Sequence, residues 1–106
     1  MPDVTDRSRA VAALRFRALG DETRLRILEI LATGERCVGD LMDALELGQS
    51  LVSHHLRALR QAGLVTVRRD GRWIYYSITE RALGAVRLVI YELAPAQNRS
   101  DEPDIT

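Results

Sequence analysis

The apolar period of this chain changes at Leu64, and that change limits the folds open to it. Before Gly63 the apolar residues recur at helical spacing. Beyond it, Leu64-Val65-Thr66-Val67-Arg68-Arg69 and Arg72-Trp73-Ile74-Tyr75-Tyr76-Ser77-Ile78 are β-branched and aromatic runs on either side of Asp70-Gly71. That arrangement is the strongest local signal for a β-hairpin. At 106 residues the chain holds one domain with one core, so architectures of roughly 250 residues such as a TIM barrel are excluded. Its 46% hydrophobic and 28% charged residues are a globular balance.

Four helical patterns precede the hairpin. The first runs from about Arg7 to Leu19, with Val11, Leu14 and Ala18 on one stripe and Gly20 as its stop. Asp21 is placed to cap a second, in which Leu25, Leu28, Ile30 and Leu31 supply the apolar positions and Gly34 ends the run. A third fits Val38 to Leu45, with Val38, Leu41, Met42 and Leu45 forming a core face. The fourth spans about Gln49 to Ala62 and closes at Gly63. After the hairpin, Thr79 can cap a last helix from Glu80 to about Leu93, stopped by Pro95. The expected organisation is a disordered N-terminal arm at 1–6, one domain at 7–94 and a disordered acidic tail at 95–106.

The fourth helix separates its residues by chemistry. At 100° per residue, Val52, His55, Leu56 and Leu59 share one face, while Ser50, Ser53, His54, Arg57 and Gln61 fall between about 100° and 200° from Val52. An ordinary solvated face would carry lysine and glutamate; this one carries hydroxyls, an imidazole, an amide and an arginine, which suits hydrogen bonding to a partner. The charge distribution points the same way. All fifteen cations are arginine and the net charge is zero, yet five arginines (57, 60, 68, 69 and 72) face one acid, Asp70, between Gln49 and Trp73. Arginine's rigid fork matches phosphate and guanine edges. Two helices joined by a short Gly-containing turn and followed by a hairpin with a basic tip describe a mostly α fold with a β-hairpin wing, a winged helix-turn-helix of order ααααββα. Such a fold can set a helix in the major groove and the hairpin tip against the neighbouring backbone.

Three segments also resemble a known family. Leu19-Gly20-Asp21-Glu22-Thr23-Arg24-Leu25-Arg26-Ile27-Leu28, the run from Gln49 through Ser53-His54-His55-Leu56-Arg57 to Val65, and Arg69-Asp70-Gly71-Arg72-Trp73-Ile74-Tyr75-Tyr76 are similar to the ArsR/SmtB repressors over about Ala13 to Leu93. The resemblance implies a homodimeric repressor that sits on an inverted-repeat DNA operator and leaves when an inducer binds, often a metal or metalloid. It also marks a departure. The thiol site of the arsenic sensors resembles Cys37-Val38-Gly39-Asp40-Leu41-Met42, with cysteine at the places held here by Gly39 and Met42. The zinc-type site on the last helix needs a carboxylate and histidines, and Glu80 to Leu93 contains no His. No metal site and no cofactor are therefore expected, and the inducer is left open.

Individual residues carry bland and sharp readings side by side. Cys37, the single cysteine, can form no intrachain disulfide. Its favoured role is a partly buried residue at a helix start, with a reactive sensor thiolate as the alternative. His55 reads as a core histidine bonded to backbone or water. Trp73, Tyr75 and Tyr76 read as core packing before base stacking. The last helix is apolar nearly all round, and a second subunit is the natural cover for it, which nominates Leu83, Val86, Val89, Ile90 and Leu93, with Leu14, as a dimer interface. The DNA contacts are assigned to Gln49, Ser50, Ser53, His54 and Arg57 on the fourth helix and to Arg68, Arg69 and Arg72 on the wing. A protein-interaction module that meets an acidic protein partner is the rival reading. An enzyme is a distant third, because no carboxylate pair or phosphate loop is present. With no basic or apolar leader at its start and no apolar run near ~20 residues, the chain is expected in the cytoplasm, off the membrane.

Overall fold

The computed structural model describes residues 4–95. Its elements follow in the order α1 (Val4–Leu19), α2 (Glu22–Leu31), β1 (Arg36–Cys37), α3 (Val38–Leu45), α4 (Gln49–Gln61), β2 (Val65–Asp70), β3 (Trp73–Ile78) and α5 (Glu80–Glu92). The winged helix-turn-helix is present, with one strand more than the sequence pattern predicts. Strand β1 pairs antiparallel with β3, Arg36 opposite Tyr76 and Cys37 opposite Tyr75, and the sheet runs β1-β3-β2. A two-residue strand is too short to show alternation, and its pairing partner lies some forty residues away.

Helix α1 begins at Val4, so residues 4–6 of the expected arm are helical. Asp6 explains the extension: an acid in the first turn complements the helix dipole, and it accepts from Arg9 Nη1 at 3.0 Å, one turn on. Residues 1–3 and nearly all of the predicted tail, 96–106, lie outside the described residues. Asp21 caps α2 as expected, its Oδ1 accepting from the Arg24 amide at 3.1 Å. That amide, above all, holds the Asp21 carboxyl below its usual range.

The core gathers Ile27, Leu28 and Leu31 of α2, Leu41 and Leu45 of α3, Val52, Leu56 and Leu59 of α4, and Leu64 and Val65 at the start of the hairpin. Ala18 and Ala82 close it from α1 and α5. Leu25, predicted on the apolar stripe of α2, is exposed, and its place inside is taken by Ile27. On α1 only Ala18 of the predicted stripe is buried; Val11 and Leu14 face outward.

The connection between α3 and α4 sets the angle of the second helix. Glu46 adopts the left-handed conformation at φ 56°, and Leu47 N–H donates to the Met42 carbonyl at 3.2 Å. Leu47 then tucks against the core, as in a Schellman close. The glycine expected to make this turn, Gly48, sits instead at φ −75° as the extended cap of α4. The wing turn also differs by one residue. Asp70 pairs with Trp73, leaving Gly71 and Arg72 as the two-residue loop. Gly71 at φ 61° takes the first central position that a type II′ turn reserves for glycine. Thr79 occupies the cap position of α5, but its hydroxyl makes no cap bond; its carbonyl accepts from Ala82 and Leu83.

Candidate nucleic-acid interface

Helix α4 turns its two faces to different surroundings. Val52, His55, Leu56 and Leu59 are buried, while Gln49, Ser50, His54, Arg57 and Gln61 are exposed and Ser53 is half-buried. The polar stripe read from the sequence is thus one continuous outer surface. The imidazoles of His54 and His55 meet edge to face at 5.2 Å between centroids, one at the outer surface and one beneath it.

His55 is bonded differently from the expectation of a backbone or water partner. Arg24 Nε donates to His55 Nδ1 at 3.1 Å, and Asp21 Oδ1 lies 3.9 Å from the same nitrogen. An arginine only donates, so Nδ1 carries the lone pair and the ring is neutral with its proton on Nε2. Burial, foremost, lowers the imidazole pKa, with the nearby guanidinium acting in the same sense and Asp21 opposing both. Arg24 therefore bolts the start of α2 to the inner face of α4. Sequence reasoning missed this role, because nothing within a few residues of Arg24 marks a partner 31 positions away. At the other end, Arg15 Nε donates to the Ala62 carbonyl at 3.3 Å and ties α1 to the close of α4.

The bolt has a pH signature. Above the ordinary imidazole value of about 6.5 the ring is neutral folded or unfolded, and its contribution is fully present. As pH falls below that value the unfolded chain takes up a proton that the folded state resists, so stability declines. Thermal unfolding at pH 7.5 and 5.5 should show a lower Tm at the acid value, and His55→Gln, which keeps an acceptor for Arg24, should flatten the difference. An equal difference in both proteins would remove His55 as the cause.

The wing places its three arginines unequally. Arg69 and Arg72 are exposed, and neither has a carboxylate within ion-pair distance among the described residues. Arg68 is engaged: it binds Glu35 through two nitrogens and lies over the Tyr75 ring. Of the aromatic residues assigned to the core, Tyr76 packs there, whereas Trp73 is 58% exposed at the wing tip. Strand pairing with Asp70 at the end of the hairpin carries the indole past the last core residue.

Helices α1 and α5 pack together and enclose a cleft of about 490 Å³ lined by Val11, Arg15, Val86 and Val89 among others. Of the predicted interface residues, Leu14, Ile90 and Leu93 are exposed and Val89 is half-buried. Val86 is a correction. At 6% exposure it is spent inside the protomer, and Leu83 packs against the core as well. Three exposed apolar residues on the same pair of helices, Val11, Phe16 and Leu88, escaped the prediction. Cys37 occupies the N-cap position of α3, makes no side-chain cap bond and is half-buried, its favoured role. A Cβ at Gly39 would stand 3.9 Å from its sulfur.

Comparison with known proteins adds an independent line. Residues 21–67 match the model of the family described as bacterial regulatory protein, arsR family. The chain is 44% identical over 80 residues to an uncharacterized HTH-type transcriptional regulator of Methanocaldococcus jannaschii, covering 74% of this chain and 90% of that one. It is 47% identical over 64 residues to the arsenic resistance transcriptional regulator ArsR1 of Pseudomonas putida; the match covers 59% of this chain and spans only 50% of that relative's length. Among solved structures, the homodimeric winged helix-turn-helix DNA-binding domain of Mb0332 from Mycobacterium bovis superposes with a TM-score of 0.73 at 30% identity, covering 100% of this chain and 96% of that domain.

Proposed function

Because this chain belongs to the arsR family of bacterial regulatory proteins, we propose that it is a sequence-specific DNA-binding repressor that acts as a homodimer on an inverted-repeat operator in the cytoplasm and catalyses no reaction. The observation that carries the reading is the outer face of α4. Gln49, Ser50, His54 and Arg57 stand exposed, with Ser53 half-buried beside them, on a helix whose inner face is locked by the core and by Arg24. The wing arginines flank it. Such a helix presents short polar side chains to base edges, while the wing cations meet phosphate.

Selection of bound duplexes from a random DNA pool is the direct experiment. Recovery of an inverted repeat supports the repressor reading; recovery of no preferred sequence hands the basic face to an acidic protein partner. With the operator in hand, Arg57→Ala or Ser53→Ala should reduce discrimination against random DNA, with about 1–3 kcal/mol at stake for a bidentate base contact. Removing Arg69 and Arg72 together should weaken binding to all DNA. The slope of log K against log salt should fall by about 0.9 for each phosphate that is no longer neutralised. An unchanged slope would take the wing out of the interface.

Release of the operator by an inducer belongs to the same proposal. The sequence offers one thiol, at Cys37, and no His or Cys on α5, so neither usual family site closes with its usual ligands within one chain. Arsenite, zinc and cadmium at low micromolar concentration are expected to leave the operator complex intact. Fluorescence anisotropy of the complex, titrated with each ion, checks this; release that disappears in Cys37→Ser would place the sensor at the remaining thiol.

A further inference from the structure

The guanidinium of Arg68, counted by its sequence position among the phosphate contacts, is already engaged on the protein. We propose that Arg68 is a positioning residue: it braces the wing at a set angle through Glu35 and leaves the phosphate contacts to Arg69 and Arg72. The inference rests on the DNA-binding reading and deepens it.

Four observations carry it. Arg68 Nη2 reaches Glu35 Oε1 at 2.6 Å while Nε reaches Oε2 at 3.3 Å, the two-pronged geometry in which arginine holds a carboxylate most firmly. The Arg68 guanidinium carbon lies 4.7 Å from the centroid of the Tyr75 ring, and because Arg68 and Tyr75 are cross-strand partners, the stack is built into the register of the wing. Glu35 is itself held: it immediately precedes β1, and Arg36 grips the segment by donating to the Glu35 carbonyl at 2.8 Å and to Thr33 Oγ1 at 2.9 Å. Finally, Asp70 Oδ2 lies 3.8 Å from Arg68 Nη1, so two acids surround this cation and little positive charge is left on that side for a phosphate. The Arg68 pair, more than anything else, keeps the Glu35 carboxyl ionised below its usual pKa.

An exposed ion pair alone does little for stability. Here its effect is geometric, since it fastens a projecting hairpin to the loop ahead of α3. Alternation along β2 sends Arg69 to the opposite face of the strand from Arg68, clear of the brace.

The test compares Arg68→Ala, Glu35→Ala and the charge swap Glu35→Arg with Arg68→Glu. For a brace, each alanine variant loses operator affinity several-fold with an unchanged salt slope, and the swap recovers most of the loss. A second readout needs no DNA. Trp73 is the sole tryptophan and sits at the tip, so its steady-state fluorescence anisotropy should fall in both alanine variants as the wing loosens. A salt slope lower by about 0.9 in Arg68→Ala, with tighter binding by Glu35→Ala, would make Arg68 a phosphate contact and overturn the proposal. Unchanged Trp73 anisotropy in both alanine variants would overturn it too. Failure of the parent chain to select any operator would refute the DNA reading instead, while the anisotropy still decides the brace.

Discussion

Ile90→Asp should yield a folded monomer that has lost operator binding by two to four orders of magnitude. Ile90 is 56% exposed in the protomer, and Leu93, three residues on along the same side of α5, is exposed as well. A carboxylate there costs nothing to the isolated protomer, because it faces water. Buried between two protomers it would have no partner. DNA binding follows, since two half-sites one helical turn apart, about 34–36 Å, need two linked recognition helices. Severing the link removes an effective concentration in the millimolar range and with it an avidity of about 10²–10⁴. Sedimentation velocity and operator titration measure both consequences. A dimeric Ile90→Asp with parental affinity would show that the interface lies elsewhere. Val86→Asp is the contrast: Val86 is covered within the protomer, so that variant should unfold rather than dissociate.

Leu59→Ala is expected to cost about 2–5 kcal/mol, a large share of the roughly 5–15 kcal/mol that holds a typical domain. Leu59 is fully buried on the inner face of α4, in the same cluster as Leu56, Leu41 and Ile27. Truncation leaves a cavity under the helix that meets DNA, and a packed interior relaxes only in part. Urea unfolding should report a lower midpoint with an unchanged m-value. His54→Ala, five residues back on the outer face, should leave that midpoint in place while changing DNA recognition. If both variants unfold at the parental midpoint, the assignment of inner and outer faces is wrong.

The inner face of α4 and the open face of α5 differ in how far the sequence discloses them. The alternation of faces on α4 is a local property: residues three and four apart share a side, so Val52, Leu56 and Leu59 announce a buried stripe before any neighbour is known. The same holds for the cap at Asp21, for α3 at Val38–Leu45, and for the hairpin, whose strands carry their own period and whose turn carries its own glycine. These depend on steric and hydrogen-bonding preferences within a few residues of chain.

Whatever depends on residues far apart in sequence was decided by the tertiary structure. Arg24 meets His55 across 31 positions, and Glu35 meets Arg68 across 33. Arginine has the same propensity and the same charge whether it grips a histidine, a glutamate or a phosphate, so no local pattern separates those roles. The short strand β1 exists only because β3 passes beside it. Val86 and Ile90 are equally apolar and one turn apart, yet one is covered by the protomer and the other is open to solvent. The sequence determined which faces are apolar, where each helix and the hairpin lie, and that a basic polar surface exists. The packing of α1 against α5 and of α2 against α4 decided which apolar residues the protomer keeps for itself and which it offers, because burial is a property of neighbours and not of the residue.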